Sequence, residues 1–252
     1  MDNLQDLILT VDDDKNIAVI QFNRPAKRNA FSQNTINELV AVLAHLDQLE
    51  TVRAVVITGQ PDGHFCAGMD LNELVQISTA KGHQRAFLKD LTDAFASFTK
   101  PIIAAVVGYA CDMIYAAEDA MFGLPEVKIG TIPGAGGTQR LARALGKHKA
   151  MEFILTGDPA SGSEFERLGV VTKVFPAPEV LPAAIKLAEK ISNLSGPVVQ
   201  ISKQAVLTAE NTTLDAGMVH EKSLYYSTFS LDDFQEGISS FLEKRKPTFR
   251  HS

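Results

Sequence analysis

Cysteine is nearly absent: Cys66 and Cys111 are the 2 cysteines in a chain of 252 residues. Two thiols cannot build a disulfide framework and suit a reducing compartment, and both read as packed rather than reactive groups. A basic excess is missing too. With 24 Lys and Arg against 30 Asp and Glu, the formal net charge is −6, so the charge balance points to neither nucleic acid nor an anionic membrane as a partner. The opening residues, Met1 to Asp6, are polar and acidic. They lack both the basic start and apolar run of a secretory signal and the Arg-rich, acid-poor pattern of a transit peptide. The expected location is the cytoplasm, or an organelle matrix if a presequence has been removed. The longest apolar run, Pro101 to Cys111, falls short of the roughly 20 residues needed to span a bilayer and reads as a buried strand.

What the chain does hold is apolar material, 45% of its residues against 21% charged, enough for a substantial core in one main domain. Residues 7–11 and 17–22 are short β-rich runs around the polar stretch Asp12 to Asn16, the pattern of a hairpin. The period then changes. Ile36, Leu39, Val40, Leu43 and Leu46 recur at helical spacing behind Ser32, a suitable N-cap, and predict a helix over 32–49. A strand at 54–58, a helix around 81–98, a strand at 102–107 and a β-rich segment at 113–123 continue the alternation. A helix at 161–168 and a strand at 172–175 close it. Such repetition predicts an α/β fold with helices outside buried sheets. From residue 181 onward only helical patterns remain, at 181–194, 197–210, 213–229 and 231–245. Their large apolar side chains need a cover, and the core and another subunit are both expected to provide it.

Three segments rise above composition: Phe65-Cys-Ala-Gly-Met-Asp-Leu71, Phe122-Gly-Leu-Pro-Glu-Val127, and the glycine-rich run from Gly130 to Leu141. The first lies between a strand and a helix, where backbone N–H groups can converge on an anionic oxygen. In the third, Gly134, Gly136 and Gly137 follow Pro133 and open the helical run from Thr138. The lysine of a nucleotide P-loop is absent there. Glu126, beside Pro125 at the end of a β-rich stretch, is placed for burial and hence for proton transfer. Taken singly, each segment is equally an ordinary turn.

Together they resemble the crotonase superfamily, most closely the short-chain enoyl-CoA hydratases. The resemblance runs from Asn23-Arg-Pro-Ala-Lys-Arg-Asn-Ala30 to Glu243-Lys-Arg-Lys-Pro-Thr-Phe249. It implies a crotonase-type spiral of ββα units over residues 1–180, with a helical oligomerisation region over 181–252 and assembly as a homotrimer or homohexamer. It also implies an acyl-CoA thioester substrate, with no metal or redox cofactor, since CoA is part of the substrate. Catalytic roles carry over to the backbone N–H of Met69, as an oxyanion-hole donor, to Glu126, as a catalytic carboxylate, and to Gly134, as a holder of the reacting water. Ala67, Gly68, Asp70 and Leu71 are implied near the CoA adenine and pantetheine, and Lys27 and Lys244 near its phosphates. The implied reaction is hydration of a trans-2-enoyl-CoA to a 3-hydroxyacyl-CoA.

One stretch departs from the family pattern. Where relatives continue from a strand like Ile102 to Tyr109 with Ala-Leu-Gly-Gly-Gly-Cys-Glu-Leu and a helix, Ala110 is joined directly to Cys111. The second oxyanion-hole N–H and the second catalytic glutamate of the family have no counterpart. Two residues are too short a link for the return that a helix makes, at about 3.3 to 3.6 Å each, so either a segment stands between Ala110 and Cys111 in the intact protein, or this region rearranges and leaves an open site. Two alternatives follow from the retained residues: a Δ3,Δ2-enoyl-CoA isomerase working with one glutamate, and a catalytically impaired acyl-CoA-binding subunit of an oligomer.

Overall fold

The structure, a computed structural model, describes residues 4–60, 64–105 and 110–252. The expected strand positions Val106 and Val107, the Tyr109 end of that run, and the first three residues of the polar start lie outside the described residues.

The hairpin forms as read, with β1 (Leu7–Asp12) antiparallel to β2 (Ile17–Phe22). Helix α1 (Gln33–Gln48) starts on Ser32, whose side chain accepts from the Thr35 N–H while the Thr35 hydroxyl accepts from the Ser32 N–H. β3 (Ala54–Thr58) is buried at every position, as its unbroken apolar run requires of a parallel strand covered on both faces. α2 (Leu71–Leu74), α3 (Thr79–Arg85) and α4 (Lys89–Ser97) lead to β4 (Ile102–Ala105). β5 (Met113–Ala117) and β6 (Met121–Phe122) follow, then α5 (Gly137–Leu145), α6 (Lys147–Thr156), β7 (Ala160–Ser161), α7 (Gly162–Arg167) and β8 (Lys173–Phe175). Helices α8 (Val180–Ser192), α9 (Gly196–Ala209), α10 (Leu214–Ser227) and α11 (Asp232–Leu242) complete the chain.

The main sheet has six strands in the order β1-β2-β3-β4-β5-β8, parallel from β2 onward, and β6 and β7 make a separate antiparallel pair. This is the expected α/β architecture. Leu39, Leu43 and Leu46 of α1 bury against Ile20, Val55 and Ile57 on one side of the sheet, while Val180, Ala184 and Ala188 of α8 cover Ile17, Ala54, Val56 and Ile103 on the other. Lys100, buried at 4% exposure, closes the end of α1 by donating to the carbonyls of Leu46 at 2.5 Å and Leu49 at 2.8 Å, a use of cations at helix C-termini.

Three expectations are corrected. The single helix around 81–98 is two helices, α3 and α4, broken where Ala86 and Leu88 take the left-handed conformation with φ 46 and 68. Helical periodicity does not register such a break. Helix α6 at 147–156 forms where no element was expected. The third correction concerns the short link to Cys111. β5 pairs with β4 through Ile103↔Met113, Ala104↔Ile114 and Ala105↔Tyr115, so the chain has residues 106–112 for a step back of about two residues along the strand. Seven residues reach much farther than the roughly 8 Å this needs. The junction is held by Asp112, whose N–H donates to Ile102 O at 3.0 Å and whose carboxylate accepts from Ile102 N at 2.7 Å and pairs with Lys203 of α9 at 2.8 Å. Parallel pairing thus survives without the dozen residues that a crossover ordinarily takes.

Candidate active site

The first component is the turn between β3 and α2. Phe65 and Phe31 both pack on Phe22 of β2, each with ring centroids 5.2 Å apart from it. These rings bring two distant loops, 24–31 and 64–70, side by side. Hydrogen bonds then lock them: Asn29 Nδ2 donates to His64 O at 2.6 Å, Ala67 N to Arg28 O at 3.1 Å, Phe31 N to Gly68 O at 2.8 Å and Asp70 N to Phe31 O at 2.8 Å. The last two bracket Met69, which pairs with Phe31 as a parallel bridge. Met69's own N–H is left without a partner among the described residues. Gly68, at φ +90, supplies the left-handed turn before it, and a Cβ there would meet nothing within 4 Å, so conformation rather than crowding requires glycine. The Met69 N–H belongs to this turn and not to the helix, because α2 begins at Leu71 behind its N-cap Asp70.

Asp70 is already occupied. Its Oδ1 accepts from Asn72 N and Nδ2, both at 3.1 Å, which caps α2, and its Oδ2 pairs with Arg24 at 3.3 Å. The Asn72 backbone bond, followed by the neighbouring amide, Arg24 and Lys27, holds the carboxyl below its ordinary 3.8. The folded chain therefore binds fewer protons than the unfolded chain below that value, and the stabilisation is full above it and lost as pH falls through the folded pKa. Urea unfolding midpoints of the wild type and Asp70→Asn are expected to differ at pH 6 and converge as the pH drops below about 4; a constant difference would place the effect outside this carboxyl. Leu71, Ala67 and Gly68 are exposed along the same rim, and Lys27 is exposed beside it. Cys66 donates nothing to reactivity: burial pushes its thiol up to about 11, and burial pushes Cys111 upward as well.

The second component is the turn that carries Glu126. It lies in a 3-10 turn, Pro125–Ile129, and not at the end of a strand; Pro125 and the left-handed Gly130 leave no room for further pairing. Glu126 O accepts from Thr131 N at 3.1 Å, which joins the carboxylate's turn to the glycine-rich loop. A Cβ on Gly137 would stand 3.0 Å from both Leu124 methyls, so this glycine lets α5 begin tight against the same turn. Oε2 of Glu126 is buried and has no hydrogen-bond partner among the described residues. A buried unpaired carboxylate oxygen is costly and calls for an explanation, which a water or ligand held there would supply.

Gly134 lies across from the α3–α4 bend, where a Cβ would touch Leu88 Cδ1 at 3.4 Å. Together they line a cleft of about 990 Å³ with Leu74, Ile77, Phe87 and Ile132. Glu126 and Gly134 thus share one loop unit, while Met69 joins them indirectly, packed on the core cluster that contains Leu88. Lys244 makes no hydrogen bond or ion pair with the loops 24–31 and 64–70 among the described residues. Sequence reasoning missed Arg24, Phe31 and Leu88. Arg24 stood in a segment already singled out, but nothing in it marked the guanidinium over Lys27. No group of three or more potential metal ligands gathers among the described residues, and no helix there is long and apolar enough to cross a membrane.

With this geometry in view, the sequence model described as "Enoyl-CoA hydratase/isomerase" matches residues 12–252. A mitochondrial enoyl-CoA hydratase of Pongo abelii is 42% identical over 93% of this chain and 83% of its own. A probable enoyl-CoA hydratase of Mycobacterium leprae is 40% identical over 96% of this chain and 98% of its own. The crystal structure of an enoyl-CoA hydratase subunit from Geobacillus kaustophilus superposes with a TM-score of 0.93 at 32% identity, covering 99% of both chains.

Proposed function

From the premise that the chain belongs to the enoyl-CoA hydratase/isomerase family, we propose that it adds water across the double bond of a trans-2-enoyl-CoA to give a 3-hydroxyacyl-CoA. The observation that carries this reading is the buried, unpartnered Oε2 of Glu126 on the same loop unit as Gly134. The thioester oxygen accepts the free Met69 N–H, so electron density drawn from the double bond collects where a fixed donor meets it. Water beside Gly134 attacks C3, the enolate forms at the thioester, and Glu126 carries the proton released by the water to C2. The sum is one water added, with no redox change, and neither a metal nor a redox group enters the balance. Lys27, beside the rim of the Met69 turn, is the cation placed for a CoA phosphate, and Ala67, Gly68 and Leu71 form the exposed edge along which the nucleotide lies. Lys244 serves the same phosphates only where the tail of the assembled protein reaches them. The expected location is the cytoplasm or an organelle matrix.

An assay with crotonyl-CoA and a 3-enoyl-CoA, run beside a CoA-binding measurement, tests this. Hydration of crotonyl-CoA is the expected outcome; migration of the 3-enoyl bond without hydration would replace the reading by an isomerase, and binding without turnover by an acyl-CoA-binding subunit.

The region from residue 181 onward is read as the assembly region. Leu214, Val219, Phe241 and Leu242 are 80%, 73%, 83% and 74% exposed in the single chain, and large apolar side chains left in water in this number call for a covering partner. Sedimentation at micromolar concentration is expected to give a trimer or hexamer, and a monomer would refute the assignment.

A further inference from the structure

We propose that Arg24 is a positioning residue for the Met69 donor, acting through Phe31 and Asp70 without touching substrate. The inference rests on the oxyanion role proposed for Met69.

The direction in which the Met69 N–H points is set by its neighbours. Phe31 takes the carbonyl of Gly68 before it and the N–H of Asp70 after it, so the two peptide units around Met69 are fixed relative to Phe31. Phe31 in turn ends a loop that does not hold itself. Arg28 and Asn29 are both left-handed, at φ 50 and 55, a conformation costly for residues with a Cβ and kept only where the surroundings enforce it. Arg24 provides that enforcement at both ends. Its backbone N–H donates to Asn29 Oδ1 at 2.8 Å and its carbonyl accepts from Asn29 N at 2.9 Å, which closes the loop. Its guanidinium donates through Nη1 to the carbonyl of Ala30, immediately before Phe31, and pairs through Nη2 with Asp70, immediately after Met69, at 3.3 Å. Through Nε it also reaches Asp6 of the N-terminal segment, at 3.5 Å.

One planar fork therefore spans the residue before Phe31 and the residue after Met69. The side chains of Arg24 and Asp70 are 17% and 9% exposed, which removes most of the screening that makes surface ion pairs weak. A lysine keeps the charge but not the fork, and cannot serve both partners in one geometry. An oxyanion donor works only within about 2.7 to 3.1 Å of the developing charge, so a small rotation of the 68–70 peptides is enough to weaken it.

The test reads the polarisation of a bound thioester and needs no turnover. A conjugated dienoyl-CoA absorbs farther to the red when its carbonyl accepts a strong hydrogen bond, and the shift is recorded with wild type, Arg24→Lys, Arg24→Gln and Leu39→Ala, the last a variant at a fully buried position of α1 that lowers stability without removing a hydrogen bond of the turn. The expected result is a red shift in wild type and Leu39→Ala that falls by half or more in both Arg24 variants, with the dissociation constant changed by no more than about twofold. Should an Arg24 variant fail to fold, Asp70→Asn, which can still accept from Asn72 N, is read instead and is expected to lose part of the shift. A full shift in the Arg24 variants overturns the positioning role. The absence of a shift in wild type overturns the oxyanion role of Met69 itself, so the two failures are told apart.

Discussion

Glu126→Gln is expected to lower hydration of crotonyl-CoA by at least about a hundredfold, the scale on which a positioned acid–base group acts, while folding and CoA binding persist. The side chain's Oε2 is buried without a partner among the described residues, so no hydrogen bond there is lost when the carboxylate becomes an amide. The backbone bond from Thr131 N to Glu126 O is untouched by the substitution. With one oxygen buried and unpaired among the described residues, exchange of the carboxylate for an amide is neutral or slightly stabilising, and thermal unfolding of the variant is expected within a few degrees of wild type or above it. Unchanged turnover would take Glu126 out of the mechanism, and a large fall in the unfolding temperature would show a structural carboxylate instead.

The second large effect is a gain. Inserting the family's glycine- and glutamate-bearing segment, about ten residues or 15 Å of helix, between Ala110 and Cys111 is expected to raise hydration by 10²- to 10³-fold or more. One oxyanion donor alone is worth about that factor, and a water-activating carboxylate adds to it. The structure has a place for such an insertion. Asp112 fixes the start of β5 by bonding to Ile102 and Lys203, so the strand pairing does not depend on the length of the link before it. The control is the same insertion with its glutamate changed to glutamine, which should keep the donor's share of the gain and lose the rest. Intact mass of the starting chain establishes first that nothing already stands between the two residues. No gain from the full insertion would mean that the absent segment is not what limits turnover.

Much of the fold was legible because burial leaves a periodic mark. The unbroken run at 54–58 became β3, and the three-and-four spacing behind Ser32 became α1, with the hydroxyl capping as expected. Periodicity said nothing about the bend at Ala86 and Leu88, because both flanking stretches keep a helical pattern through it. Glu126 was identified as a residue but misplaced as structure, since Pro125 and Gly130 turn an apolar β-rich stretch into a 3-10 turn. The tail lysine Lys244 shows the opposite limit: a basic residue in a recognisable segment carries no information on what it reaches.

What the sequence by itself determined was the set of parts: buried parallel strands, amphipathic covers, glycine turns at Gly68 and Gly134, the carboxylate at Glu126, and the family they belong to. Only the tertiary structure decided which backbone groups stay free for chemistry. Met69 has an N–H without a partner among the described residues because Phe31, from a distant loop seated on the same Phe22 ring, takes up the groups on either side of it. Side-chain type and spacing encode which residues seek burial, since each apolar group is driven from water wherever it goes. Hydrogen-bond partners between remote loops depend instead on where that burial finally sets the backbone, and no local pattern records it.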